Sequence, residues 1–586
     1  MAQRQDTAPF GANCVGMGTC GRRQLALAAV TLLSASLLCA LPAAAAETYT
    51  VYHVPTVGGA TIRVEVIRDT TQEKVPVILT MSPYNGDYGL LNGTEPARDG
   101  VAARYVPRGY ARATADLLGT RGSTGCWDYG GRNEQQAGVD TVNFLASQPW
   151  STGKVAMMGA SYDGTTANMV AARGADVPGL AAIVPIVAIS HWYGYGYTQG
   201  MRFTAQSASN GRLNEQGIDT PLVFDFRSGR TIAPDPTGAN FVGNVSARAG
   251  ECGAVEHTQR GYDESPDYDA FWKERDYLKD AANFRVPVLV GGGWRDFNVK
   301  PDQSIDLFDA LPVDDPATSE REGVPFKILA MGQNPHGDPA IGQWQTLLDR
   351  FLDHTLKGAV NNIQNGPSVY SASRVGTVAL TRIGQSWPPS GTAEVTLHLE
   401  HSGADGTLAP APTTGTPTTF TDMAVGDDFR ALQDLSAEHD WLWYVSKPLA
   451  RDMRLAGEAV LDATVSVNRD RGALTPVLVE IPSGAAAPRW ETFGALNLQY
   501  REGIDIAKPV PANQPVRARV AFKPQDTTFK AGSRIGVVML ASNVGWVRPD
   551  LPGQATTVHH GAGGLGSVLR LPIVDPPSDA SALFAE

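Results

Sequence analysis

Lys154-Val155-Ala156-Met157-Met158-Gly159-Ala160-Ser161-Tyr162-Asp163-Gly164 is a short apolar run that stops on small residues around a serine and passes at once into a second apolar stretch. A run of that length predicts a buried strand over residues 154–158, and the spacing after it predicts a helix over 162–173. The turn departs from G-x-S-x-G by one place, because Gly164 rather than Asp163 supplies the last glycine. The physics is the same. Small residues let strand and helix pack closely around a strained serine, whose hydroxyl then stands above the sheet. The Tyr162 N–H points toward where an oxyanion would form.

Outward from this turn the chain alternates. Toward the N-terminus, residues 49–54 and 61–68 read as an antiparallel pair, 75–82 as a strand buried on both faces, 110–117 as a strand and 133–147 as a helix closed by Pro149. Residues 180–187 then resume a strand. Strand, helix, strand repeated in this way argues for a mostly parallel sheet covered on both faces. Residues 190–282, rich in Tyr, Gly, Asn and Asp, interrupt the rhythm, with a short helix expected over 268–278. The rhythm returns with strand 286–291, helix 302–311, strand 326–331 and helix 341–356. The interruption is therefore expected to be an inserted cap in a domain spanning 47–366. From 367 to 586 helix signals almost vanish. Runs such as 393–399, 456–467, 474–481, 516–522 and 535–541 predict a β-sandwich or jelly roll.

A serine needs a base at neutral pH, and the base needs an orienting acid. In an α/β-hydrolase these follow in the order serine, acid, histidine, at the ends of later strands. Asp296 stands just past strand 286–291 in Gly-Gly-Gly-Trp-Arg-Asp-Phe, with Asp302 and Asp306 close behind it. His336 stands just past strand 326–331 in Gln-Asn-Pro-His-Gly. The other histidines precede the serine, sit in a helix, or belong to the cap or the β region.

Residues 1–46 read as an export signal: Arg22-Arg23, an apolar run over 25–41, then Ala43 to Ala46. The run is shorter than the roughly 20 residues of a spanning helix, and the paired arginines resemble a twin-arginine leader. Its removal takes away three basic residues and one acidic one, leaving 45 against 59 and a net charge of −14. That charge argues against nucleic acid or an anionic membrane as partner. Of five cysteines only Cys126 and Cys252 stay, and two cysteines can pair in an oxidising compartment. No Cys/His cluster has metal-ligand spacing, and no cofactor is expected.

Together the serine turn, Gly292-Gly293-Trp294-Arg295-Asp296-Phe297 and Pro335-His336-Gly337 resemble the signatures of the family joining X-prolyl dipeptidyl-peptidases and cocaine-esterase-type acyl hydrolases. Ser82-Pro83-Tyr84, Asp116 with Arg121-Gly122-Ser123-Thr124-Gly125, Gln148-Pro149-Trp150, Tyr268-Asp269-Ala270-Phe271-Trp272 and Leu569-Arg570-Leu571-Pro572 add to the resemblance. It implies a catalytic α/β domain, a helical cap and a C-terminal jelly roll, and a Tyr84 hydroxyl beside the Tyr162 N–H in the oxyanion hole. Independently, Tyr84 ends a buried strand at the sheet's carboxyl edge, where ligands gather.

Trp192, Tyr193 and Phe297 are candidates for an apolar acyl pocket, or equally for core. Asp263, Glu264 and Asp267 form an acidic cluster that could hold a substrate's free amino terminus, or be a solvated loop. The expected reaction is acyl-enzyme hydrolysis of a peptide with proline second from its N-terminus, or of a small acyl ester or amide. A carbohydrate- or surface-binding protein, built on the jelly roll with an idle hydrolase domain, is the alternative from another class, and the complete Ser-Asp-His set argues against it.

Overall fold

The chain opens on a hairpin, β1 (Glu47–Pro55) and β2 (Thr61–Asp69), followed by β3 (Val75–Ser82), α1 (Gly100–Tyr105), β4 (Ala111–Asp116), α2 (Arg132–Ala146), β5 (Ser151–Ala160), α3 (Tyr162–Ala171) and β6 (Leu180–Ile186). After a short helix α4 (Trp192–Gly196), a small hairpin β7 (Tyr197–Thr198) and β8 (Met201–Phe203), and helix α5 (Ala270–Glu274), the alternation returns. It runs β9 (Val288–Gly293), α6 (Pro301–Ala310), β10 (Lys327–Gly332), α7 (Trp344–Lys357), β11 (Val369–Val375) and β12 (Val378–Gly384). This computed structural model describes residues 47–83, 99–120, 122–203, 252, 266–312, 326–402, 405–413, 415–422, 441–484, 487–543, 546–548, 551–562 and 564–586. They fall in one compact unit, Ala45–Glu586. The leader over 1–46 and, apart from Cys252, the part of the cap over 204–265 lie outside them. Among the described residues no helix is long and apolar enough to cross a membrane.

The catalytic sheet has the strand order β1-β2-β4-β3-β5-β6-β9-β10-β11, antiparallel at β1, β2 and β4 and parallel from β4 onward. Why both faces are covered is visible in β3, whose eight residues are all buried. Val77, Leu79 and Met81 join the core under α2 and α3, with Val139, Val142, Leu145, Met169 and Val170. Ile78, between them, faces the opposite core with Leu347, Leu348, Phe351 and Leu352 of α7. The two-residue strand period thus splits one apolar run between two helical layers.

The C-terminal part is a strand-rich sandwich, as expected. Thr392–Ser402 pairs with Ser567–Val574, which pairs with Val460–Val467. Across the core, Arg534–Met539 lies between Leu442–Ser446 and Val477–Ile481. Leu397, Leu461 and Leu569 of the first group share a core with Leu478, Val537 and Met539 of the second. Two runs expected as single strands are each divided. The 474–481 run breaks at Pro476, which has no N–H for the ladder; the 456–467 run breaks after Gly457, at φ +135°. The helix expected over 268–278 ends at Glu274, and Asp276 caps a separate 3₁₀ turn, Tyr277–Asn283. The two halves also share backbone: one edge of β11 runs parallel to β10 at Val369–Ser371 and then pairs with Thr527 and Thr528 of strand Gln525–Phe529 at Arg374 and Val375, while β12 covers the other edge.

Candidate active site

Ser161 sits between β5 and α3 at φ +62°, ψ −128°, a conformation a non-glycine residue adopts only under constraint, at a cost of about 1–3 kcal/mol. Two glycines make that constraint possible. A Cβ on Gly164 would lie 2.6 Å from the Gly159 carbonyl and 2.8 Å from Ala188 Cβ, and one on Gly159 would collide with Asp163. The Ser161 N–H is meanwhile tied to the Ile186 carbonyl at 2.9 Å. Register carries the serine toward its partners. Ala160, Ile186, Gly291 and Ala330 are successive neighbours across β5, β6, β9 and β10. Ser161, Asp296 and His336 all follow that line at the carboxyl edge.

Asp296 is 1% exposed, and both of its oxygens are used. Oδ1 accepts the N–H groups of Asn298 (2.9 Å) and Val299 (3.0 Å), and Oδ2 accepts Nδ1–H of His336 at 2.6 Å. The backbone bonds fix the carboxylate, and the carboxylate fixes the tautomer: with the proton on Nδ1, Nε2 of the imidazole keeps its lone pair as an acceptor. The His336 side chain is one-third exposed, so it can reach a substrate. The acid turn and the histidine loop pack backbone to backbone, because a Cβ on Gly293 would collide with the Asn334 carbonyl. Asp302 pairs with Lys523 (2.6 Å), and Asp306 lies 3.4 Å from Nε2 of His191. Neither competes with Asp296 for His336.

Tyr162 is the first residue of α3, where a helix leaves its N–H groups without intrahelical partners. Its ring is buried. Tyr162 Oη–H donates to Oε1 of Glu134 (2.7 Å) and accepts from Nε1–H of Trp127 (3.0 Å). Glu134 Oε2 accepts the Gly130 N–H, and burial pushes the Glu134 carboxyl up to about 8. Asp163, likewise buried, is pushed up to about 7.

The described chain matches X-Pro dipeptidyl-peptidase (S15 family) over residues 58–338 and the C-terminal non-catalytic domain of X-Pro dipeptidyl-peptidase over 361–564. A protein of Bacillus anthracis, provisionally named Xaa-Pro dipeptidyl-peptidase, is 30% identical over 534 residues, covering 85% of this chain and 82% of its own. The chain belongs to the S15 family. It is a hydrolase. Among solved structures, an α-amino acid ester hydrolase shares the fold at TM-score 0.69 and 20% identity, over 93% of this chain and 100% of its own. An aminopeptidase from a marine sediment Thaumarchaeota archaeon does so at 0.69 and 19%, over 90% and 96%.

The other residues expected in this S15 site fare differently. Tyr84, Asp263 and Glu264 lie outside the described residues. Asp267 is described, and its Oδ1 is engaged by Tyr500 Oη–H (2.8 Å) and the Ala507 N–H (3.0 Å), so it joins the cap to the sandwich. Trp192 and Tyr193 are packed among the described residues as core aromatics. Trp192 is buried edge-on against Tyr162 with its Nε1–H on Tyr277 Oη, and Tyr193 is buried with its hydroxyl on the Pro266 carbonyl. Phe297 is also buried, against Trp490, Phe493 and Trp546 of the sandwich.

Cys126 and Cys252 are disulfide-bonded, Cα to Cα 5.4 Å. Sequence reasoning missed Glu134 and Lys300. Lys300, fully buried, donates to the Tyr195 carbonyl at 2.8 Å, and desolvation lowers its ammonium to about 7. Both sit in ordinary-looking polar stretches, and only tertiary burial distinguishes them.

Proposed function

We propose that this S15-family chain is an exported serine hydrolase that releases N-terminal Xaa-Pro dipeptides through an acyl-enzyme. The observation that carries the chemistry is the short His336–Asp296 bond at the sheet edge that also bears strained Ser161. His336 Nε2 takes the Ser161 hydroxyl proton as Oγ attacks the scissile carbonyl, and the oxyanion meets the Tyr162 N–H and the Tyr84 hydroxyl. The imidazolium, held by Asp296, passes that proton to the leaving amine as the C–N bond breaks and an ester forms. Water then attacks the ester, with His336 taking its proton and returning it to Ser161. The relatives' names support the Xaa-Pro preference. Arg22-Arg23, the apolar run after them and the disulfide support export to an oxidising compartment, by the twin-arginine route.

One observation favours a second reading, an acyl esterase or amidase. Asp267, nominated for a substrate ammonium, is engaged by Tyr500 and Ala507. Three substrates separate the readings: Ala-Pro p-nitroanilide, its N-acetyl form and p-nitrophenyl acetate. A peptidase that pairs the free ammonium cuts the first far better than the second, because an unpaired buried group is costly. Equal kcat/KM on both anilides with a faster ester would replace the peptidase by the esterase. Ser161→Ala and His336→Ala should each lose several orders of magnitude in turnover; near-wild-type turnover in either would remove the triad assignment.

A further inference from the structure

The turn that carries the acid, Trp294-Arg295-Asp296-Phe297, is gripped from the C-terminal sandwich at every residue except the acid itself. Gln525 Nε2–H donates to the Trp294 carbonyl at 2.7 Å. Trp294 Nε1–H donates to Ser371 Oγ (3.2 Å), whose own hydroxyl donates to Asp526 Oδ2 at 2.6 Å. The Phe297 ring packs on Trp490, Phe493 and Trp546. Arg295 has the strongest tie. Its Nη1–H donates to the Glu491 carbonyl at 2.7 Å, and its Nη2 pairs with Glu491 Oε2 at 3.2 Å. The Glu491 side chain is 0% exposed and also pairs with Arg374 of β11.

We infer that Glu491, on strand Arg489–Phe493 of the sandwich, is a positioning residue for the Asp296–His336 pair, acting through Arg295; the inference rests on the triad reading above. One buried carboxylate stands between two guanidinium groups. Without its charge Arg295 and Arg374 repel each other in a poorly solvated place. Arg295 yields the more readily, since its side chain keeps one hydrogen bond, to the Glu491 carbonyl (2.7 Å), where Arg374 keeps two, to Thr527 Oγ1 (2.9 Å) and the Gly376 carbonyl (3.1 Å). Asp296 moves with Arg295, because both anchors of Oδ1 lie in the same turn, at Asn298 and Val299. The bond lengthened is then the one between Oδ2 and His336.

The test uses the whole chain and the variants Glu491→Gln, Arg295→Gln and their double. Turnover is followed on whichever of the three substrates above is fastest, alongside the rate of Ser161 labelling by a fluorophosphonate. Misplacement of a catalytic group predicts kcat and labelling each lower by about tenfold or more, with KM changed by less than about threefold. The double variant should lose no more than the worse single one, since both cut the same contact. Turnover and labelling rates within about twofold of wild type in folded Glu491→Gln would overturn the inference. If that variant fails to fold by circular dichroism, Arg295→Gln decides on the same criteria, since it leaves Glu491 paired with Arg374. Ser161→Ala and His336→Ala run beside them. Turnover surviving there sinks the triad, whereas their loss with a wild-type Glu491→Gln sinks only the positioning role.

Discussion

At the residue scale the site turns on which oxygen of Asp296 faces which donor. Oδ1 meets two backbone N–H groups and Oδ2 meets one imidazole N–H. Asp296→Asn keeps the shape but can satisfy only one side. The amide oxygen should take the two backbone donors, leaving the NH₂ group against His336 Nδ1. The imidazole then accepts at Nδ1 and carries its proton on Nε2, where it cannot act as base. A kcat loss of about 10⁴-fold is expected, with an unchanged thermal transition. Steady-state kinetics on the fastest substrate measures it, and a loss under about tenfold would mean another group orients His336.

At the scale of elements, α2 and α3 are joined through the Glu134–Tyr162 bond, and its carboxyl makes the join pH-dependent. Burial is the main cause of the upward shift; Asp128 adds to it, while the bonds from Gly130 and Tyr162 and the charge of Arg275 oppose it. Between the unfolded value of about 4.3 and the folded value of about 8, the folded chain holds a proton the unfolded chain lacks. Wild-type stability contributed by this group therefore falls as pH rises through that window. Glu134→Gln does not titrate, so its stability relative to wild type should rise from pH 5 to pH 8 in urea unfolding. An equal difference at both values would place the carboxylate ionised throughout.

Elements of this kind were readable only in part. The serine turn, the sheet alternation and the order of Asp296 and His336 were legible because each is local: a period, a glycine, a distance along the chain. Pro476 was legible in principle, since it removes a ladder donor, yet the apolar run around it masked the break. The burial of Trp192 and Tyr193 was not, because an aromatic beside a site and one beneath it have the same sequence. Glu491 carried no signal, for its meaning lies in Arg295, 196 residues away.

Across the whole molecule, two long-range ties bind the parts. The Cys126–Cys252 bridge closes a separation of 126 residues. Replacing both cysteines by alanine should lower unfolding free energy by roughly 2–4 kcal/mol. Urea unfolding of the oxidised wild type against the double variant measures it, and coincident curves would show that the bridge restrains nothing in the unfolded chain. The second tie is β11, whose C-terminal end pairs with Thr527 and Thr528 beyond the stretch that pairs with β10. A ribosome makes the chain in one direction, at about 5–20 residues per second. Arg295 therefore emerges roughly 10–40 seconds before Glu491. Through that interval the acid turn and the C-terminal end of β11 have been made but their sandwich partners have not. On the triad reading the nascent chain has Ser161, Asp296 and His336 before it has Glu491, so its hydrolytic competence should follow the synthesis of strand Arg489–Phe493 rather than that of His336.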